Sequence, residues 1–405
     1  MSTASTTPAA KPHIAILGAG PIGLEAALAA AEAGHPFTLY EAAAEPGGHV
    51  RAWGHVRLFT SWSLNVSLRM RAALAAAGYE APEGDDCPTG RELAERLLAP
   101  LACLPAVAPR LRLGTRVVAV GRDGLLKHEE IANATRGATP FRLLLAGRDG
   151  REWVEHADLV IDATGTYGQP NSLGDGGIPA PGERGLAGAV YRAIPDLARE
   201  AGAWAGKTVL LAGSGHSAQT AARDLAELAR EAPGTRIVWA LRRPEPAWGS
   251  PEGDPLPERA ALAATAAELA AGASPAVAAR RGVAVEELAP AAEGRVLVRL
   301  RNGGGESVVV DRVLSLTGSV GDHSLYRQLQ VHECYATAAP MKLSAALLGA
   351  AAGDCLAQTS HGVEVLTNPE PGFFILGAKS YGRNNTFLMR VGWEQVAEVF
   401  GLLSA

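Results

Sequence analysis

Cysteine is scarce in this 405-residue chain: Cys87, Cys103, Cys334 and Cys355 stand far apart and never as C-x-x-C. That spacing supplies neither a zinc site nor an internal dithiol redox pair, and it reads as reduced thiols in a cytoplasmic protein. Every Ala/Leu run is broken by Glu, Arg or Gly before it reaches the ~18 apolar residues of a membrane span. No basic block stands out and the formal net charge is -5, so a phosphate-neutralising surface for nucleic acid is not expected. The first twelve residues are Ser/Thr/Ala/Pro-rich, without the basic start and apolar core of a secretory leader, and are predicted to form a frayed tail. No His/Asp/Glu cluster has metal-ligand spacing. Aromatic residues make up only 5% against 47 glycines, a composition suited to helices packed closely on sheets. A small-molecule substrate is the expected partner, with no nucleic acid and no membrane; a homodimer is left open.

What is present occurs twice. His13–Leu17 is an apolar strand running into Gly18-Ala19-Gly20-Pro21-Ile22-Gly23, then an Ala-rich helix stopping at Gly34 and a strand, Phe37–Tyr40, closed by Glu41. This is a β-α-β unit of parallel-pair length. Helices are predicted in 68–77 and 90–101, an antiparallel excursion in Arg116–Val120 and Phe141–Ala146, and a further strand in Asp158–Ala163 ending in Thr164-Gly165. After a Gly/Pro-rich loop (168–185) the pattern restarts. Thr208–Ala212 leads into Gly213-Ser214-Gly215-His216-Ser217-Ala218, a helix follows, and Arg236–Leu241 is the next strand. A proline-rich stretch (244–257) precedes an Ala-rich helical segment to about Arg281. A hairpin is predicted around Asn302-Gly303-Gly304, and Arg312–Leu316 ends in Thr317-Gly318.

A helix that starts in a glycine turn offers free N–H groups and the positive end of its dipole to a pyrophosphate. Gly18 permits the turn, Gly20 admits the phosphate, Gly23 lets helix and strand approach, and Pro21 and Ile22 complete the turn. Glu41 stands where a carboxylate accepts both ribose hydroxyls, and Gly47-Gly48 extend the pattern. The second turn has Ala218 for its third glycine, and Arg242-Arg243 replace an acid at the end of its second strand. Guanidinium groups there suit a 2′-phosphate, favouring NADPH over NADH. His216 is expected to pack or cap near that cofactor.

With these motifs the chain resembles the two-dinucleotide-binding-domain flavoproteins, most closely the flavin-containing monooxygenases. The resemblance rests on Gly18–Gly23 with Glu41 and Gly47-Gly48, Asp162-Ala163-Thr164-Gly165, Gly213–Ala218 with the strand up to Arg243 and Trp248, Thr317-Gly318, and Gly372–Gly377. It covers about half the chain. It implies two Rossmann-like, glutathione-reductase-type α/β domains, the second inserted in the first: an FAD-binding part over 1–172, an NADPH-binding domain over 173–320, and the rest of the FAD-binding domain over 321–405. It also implies cofactor contacts at Val118, Thr164, Gly165, Thr317, Gly377 and Lys379 beside the turn residues. The family's Gly-Asp is Gly377-Ala378-Lys379 here, and its F-x-G-x-x-x-H fingerprint is not found between the two turns. In the region of the family's active-site asparagine the candidate is Asn65, walled by Trp53, Phe59 and Trp62.

The implied chemistry is hydride transfer from NADPH to FAD, then oxygenation of a small organic substrate by molecular oxygen through a hydroperoxyflavin. Two rivals stay open: an NADPH-dependent reductase of an organic or disulfide acceptor without its own dithiol, and a nucleotide-bound sensor. Replacing Arg242 and Arg243 together by Ala is expected to weaken NADPH binding by roughly 1–3 kcal/mol while leaving NADH nearly unchanged. Parallel titrations with the two nucleotides check this, and equal losses would make the pair structural.

Overall fold

The computed structural model describes residues 10–249, 254–302, 304–349 and 359–404; most of the expected tail, Gly303 of the expected hairpin turn and Cys355 lie outside the described residues. The chain divides into two compact units, Met1–Gly168 with Val320–Ala405, and Gln169–Ser319.

The first unit is built on a parallel sheet whose order is Phe373–Ile375, Leu159–Asp162, Ile14–Leu17, Phe37–Tyr40, Leu111–Arg112. Ile14–Leu17 reads IAIL with every residue buried, the uninterrupted apolar run of a strand covered on both faces. The Pro21–Glu32 helix covers it, its residues Ile22 to Ala30 all buried, and the Met389–Ser404 helix packs on that helix in turn. A Cβ on Gly392 would lie 2.4 Å from Ile22 Cδ1, so the two helices meet almost backbone to side chain. The sheet therefore takes strands from both ends of the sequence. The 90–101 helix is present but widens into a π-turn over Ala94–Leu98.

The antiparallel excursion has a third strand, Glu152–Ala157, beyond the expected Thr115–Arg122 and Phe141–Gly147. Its sequence, EWVEHA, carries glutamates three residues apart, a helical rather than an alternating spacing, and hides a strand from pattern reading. Where this sheet meets the last parallel strand, Glu370 is buried between two arginines. Arg122 Nε donates to its Oε1 at 2.7 Å and Arg136 Nη2 to its Oε2 at 2.7 Å, and Gln330 N–H adds a third donor at 2.8 Å. The guanidinium groups also donate to the carbonyls of Thr139, Pro371, Leu126 and Glu129. Burial alone would raise the Glu370 pKa, and these donors more than offset it, so the carboxyl is held below its usual range.

The second unit repeats the plan. Its parallel sheet runs Val277–Arg281, Arg236–Leu241, Thr208–Ala212, Arg312–Ser315, Val190–Tyr191. The His216–Glu231 and Pro257–Ala270 helices pack beside it. The expectation of helix up to Arg281 is corrected here: the helix stops at Ala270, and Val277–Arg281 is a strand. Gly272, with φ +103°, breaks the helix, and the residues beyond it pair in parallel with Ile237–Leu241. The expected hairpin strands gain a third partner, Ala284–Pro290.

Candidate functional site

In the first unit, the carboxyl end of Ile14–Leu17 delivers the chain into the first glycine turn. Gly18 has φ +94°, and a Cβ there would lie 2.8 Å from the Ala163 carbonyl oxygen. A Cβ on Gly23 would lie 1.7 Å from the Gly18 carbonyl oxygen, so only glycine lets the helix start here. Gly20 is different: its φ of −81° suits any residue, and no atom lies within 4 Å of where its Cβ would stand. The helix begins at Pro21 with Gly20 as N-cap and no side-chain cap. An uncapped helix start facing an open cradle fits a phosphate group.

Glu41 closes the neighbouring strand. Its Oε2 accepts from Ala19 N–H and its Oε1 from Ala43 N–H, both at 2.9 Å. Each oxygen keeps a lone pair for a further donor. Gly47 N–H donates to the Ala19 carbonyl at 2.9 Å, and a Cβ on Gly48 would reach within 3.3 Å of Glu41 Oε1. The structure thus brings Gly18, Gly20, Pro21, Ile22, Gly23, Glu41, Gly47 and Gly48 to one end of the sheet. Gly377 joins them, its Cβ position 3.0 Å from Ile22 Cγ1 and its N–H donating to Gln395 Oε1 at 2.9 Å.

Thr164 and Gly165 follow the adjacent strand, and here lies a feature the sequence reading missed in part. Lys379 is buried, and its ammonium donates to Asp162 Oδ2 at 2.5 Å, to the Asp322 carbonyl at 2.8 Å and to Thr164 Oγ1 at 3.2 Å. Asp162 Oδ1 accepts from Thr164 Oγ1 at 2.7 Å and from its N–H at 3.1 Å. All three ammonium protons are therefore engaged within the protein. Its stem fills the space a Cβ on Gly321 would need, 2.5 Å from Lys379 Cγ. Asp162, one residue before the Ala-Thr-Gly run, was the available signal: an acid ending an apolar strand needs a buried partner.

Asn65 is buried within Trp62–Asn65. Its Oδ1 accepts from Thr60 Oγ1 at 2.7 Å and its Nδ2 donates to the Thr60 carbonyl at 2.8 Å, leaving one amide N–H beyond this pair. Trp62 is core, with Arg96 stacked over it at 5.1 Å. Val118 stands 37% exposed at an irregularity of the Thr115–Arg122 strand. His361 is exposed.

In the second unit Gly213 has φ +122° and its Cβ would lie 2.2 Å from the Leu316 carbonyl oxygen, whereas the Gly215 Cβ position is open. His216, Ser217 and Ala218 begin the uncapped helix. Burial, then nearby Arg259, hold the His216 pKa below the usual imidazole range, so the ring is neutral at pH 7. Two side chains no motif announced fix the turn: Trp239 Nε1 donates to the Gly213 carbonyl at 2.8 Å, and Gln219 Nε2 donates to the carbonyls of Ser214 and Trp248 at 2.8 Å each. Thr317 Oγ1 donates to the Asn171 carbonyl at 3.1 Å. Arg242 and Arg243 are exposed past Leu241. Among the described residues no group of three or more His, Cys, Asp or Glu could hold a metal ion, and no helix is long and apolar enough to cross a membrane.

Residues 16–77 match the family described as NAD(P)-binding Rossmann-like domain. Comparison with curated proteins gives no match. Among solved structures, the chain is similar to a bacillithiol disulfide reductase from Bacillus cereus, at 20% identity and TM-score 0.65 over 97% of this chain and 99% of that one. An ornithine hydroxylase from Pseudomonas aeruginosa aligns at 18% identity and TM-score 0.62, over 97% and 98%. A flavin-containing monooxygenase from Stenotrophomonas maltophilia aligns at 18% identity and TM-score 0.57, over 98% of both. The chain shares their fold. It is an α/β fold with a Rossmann-like domain in the first unit and a second unit of the same parallel-sheet plan.

Removing one partner of a buried ion pair strands the other charge. Lys379→Met is expected to lower stability by about 3–5 kcal/mol, and Lys379→Met with Asp162→Asn to recover much of it. Denaturant unfolding of the two variants checks this; a single variant as stable as the parent would remove the pair from the account.

Proposed function

We propose that this chain is an FAD- and NADPH-dependent oxidoreductase, a flavin monooxygenase that oxygenates a small organic substrate. The observation that carries the reading is the pair of open cradles: Gly20 and Gly215 each face empty space at an uncapped helix start, at the carboxyl end of a parallel sheet. A dinucleotide at each cradle is what such an end accommodates.

FAD, when bound, supplies the capacity to take two electrons from NADPH and to pass them to oxygen. The chain's own residues do the rest. The N–H groups after Gly20 hold the pyrophosphate of FAD, and the two oxygens of Glu41, kept in place by Ala19 and Ala43, accept from the ribose hydroxyls. Thr164 and Gly165 border the same ligand. Lys379 acts on them from behind, its ammonium spent on Asp162, Thr164 and Asp322. In the second unit the N–H groups of His216, Ser217 and Ala218 hold the NADPH pyrophosphate, and neutral His216 adds no charge there. Arg242 and Arg243 pair with the 2′-phosphate. The remaining N–H of Asn65 would be the donor offered to the substrate side of the flavin, while Thr60 fixes the amide.

A second reading, an NADPH-dependent reductase acting directly from flavin, is favoured by that same tether: both polar atoms of Asn65 are already bound to Thr60. The readings part on one variant. Asn65→Ala should leave anaerobic bleaching of the flavin by NADPH almost intact and, in air, raise hydrogen peroxide released per NADPH at the expense of oxygenated product. Unchanged peroxide yield, with no oxygenated product from the unmodified protein, moves the assignment to the reductase.

A further inference from the structure

Tyr167 follows the Thr164-Gly165 turn, and its side chain is 58% exposed. It is not a lone surface ring. Its centroid lies 5.9 Å from that of His49 and 6.1 Å from that of Trp53, at interplanar angles of 39° and 38°. His49 belongs to the Gly48–Ala52 turn of helix and Trp53 caps it. That turn is bonded to the first glycine turn through Gly47 N–H and the Ala19 carbonyl. The two chain segments that border the first cradle therefore each contribute to one aromatic wall. Surrounding protein desolvates the Tyr167 hydroxyl enough to raise its pKa. The Trp53 indole Nε1 is enclosed by protein, so this ring serves the wall through its face alone. A Cβ on Gly90 would lie 2.5 Å from the Trp53 ring, so that ring is fixed from the other side.

We propose that Tyr167, backed by His49 and Trp53, is the surface on which the isoalloxazine ring of the cofactor stacks, and that Tyr167 is a positioning residue of the flavin site. This rests on the FAD reading above. A flat, polarisable ring matches such a wall, since it offers a face to the exposed phenol. Adenine, the other planar ring of the same dinucleotide, is the competing occupant.

The two rings are separated by flavin emission. A phenol or indole in contact with an excited flavin gives it an electron and recovers it in the back reaction, which extinguishes fluorescence; phenylalanine is too poor a donor and adenine stacking does not involve the flavin. Holoprotein carrying Trp53→Phe, which removes the second electron donor, is freed of unbound FAD by gel filtration and serves as the parent for Tyr167→Phe and Tyr167→Leu. Tyr167→Phe should keep FAD affinity and brighten the bound flavin severalfold. Tyr167→Leu should brighten it and also weaken FAD binding by about threefold to tenfold, the scale of one lost aromatic pair. Emission equal to the parent in both variants overturns the proposal. Weaker binding with unchanged emission assigns the wall to adenine and overturns it too. A parent protein that takes up no FAD at all would instead refute the reading on which the proposal stands.

Discussion

The contact between Lys379 and Asp162 joins three stretches of the first unit that are distant in sequence. Asp162 ends a central strand, Asp322 follows the return of the chain from the second unit, and Lys379 stands just after the last strand. A buried ammonium and carboxylate each carry a desolvation cost that only close pairing and full hydrogen bonding offset. Here both conditions are met, so the three stretches can pack together in one arrangement. Thr164 is bound to both charges, and the Ala163 carbonyl lies against Gly18. The position of the first glycine turn is thereby tied to an ion pair behind it, and the cradle at Gly20 inherits that rigidity.

The second unit reaches the same kind of cradle by other means. Trp239 and Gln219 hold the carbonyls of Gly213 and Ser214 through neutral hydrogen bonds. Glycine with a positive φ opens both turns, at Gly18 and Gly213, but the second turn accepts Ala218 where the first needs Gly23. Side chains that differ in chemistry then keep each turn in place.

The inner strands of both parallel sheets were legible as short apolar runs, two of them, Ile14–Leu17 and Thr208–Ala212, leading straight into glycine. The two-residue strands Leu111–Arg112 and Val190–Tyr191 are too short to show a pattern. The strand Val277–Arg281 was not legible, since its alanines carry equal weight as helix formers and the neighbouring strand decides. Glu152–Ala157 was hidden for the converse reason: it carries Glu152, exposed, and Glu155, half-buried as the acceptor of Tyr40 Oη and Trp153 Nε1, while pairing holds the backbone. Glycine and acid positions around the first cradle could be named from sequence. The partners of Lys379 could not, because they arrive from 57 and 217 residues away. Asn65 was named from a resemblance, and its tether to Thr60 follows from the local turn rather than from any motif.

The central claim is that the open space at Gly20 is a cofactor site and not a packing defect. Gly20→Val tests it directly, since the backbone there suits any residue and the added side chain meets no protein atom within 4 Å at its Cβ. The absorption spectrum and the chromatographically identified nucleotide released from purified protein are to be compared with the parent at equal thermal stability. The account predicts a yellow parent releasing FAD and a folded, colourless variant. A folded Gly20→Val protein that carries full FAD would contradict it.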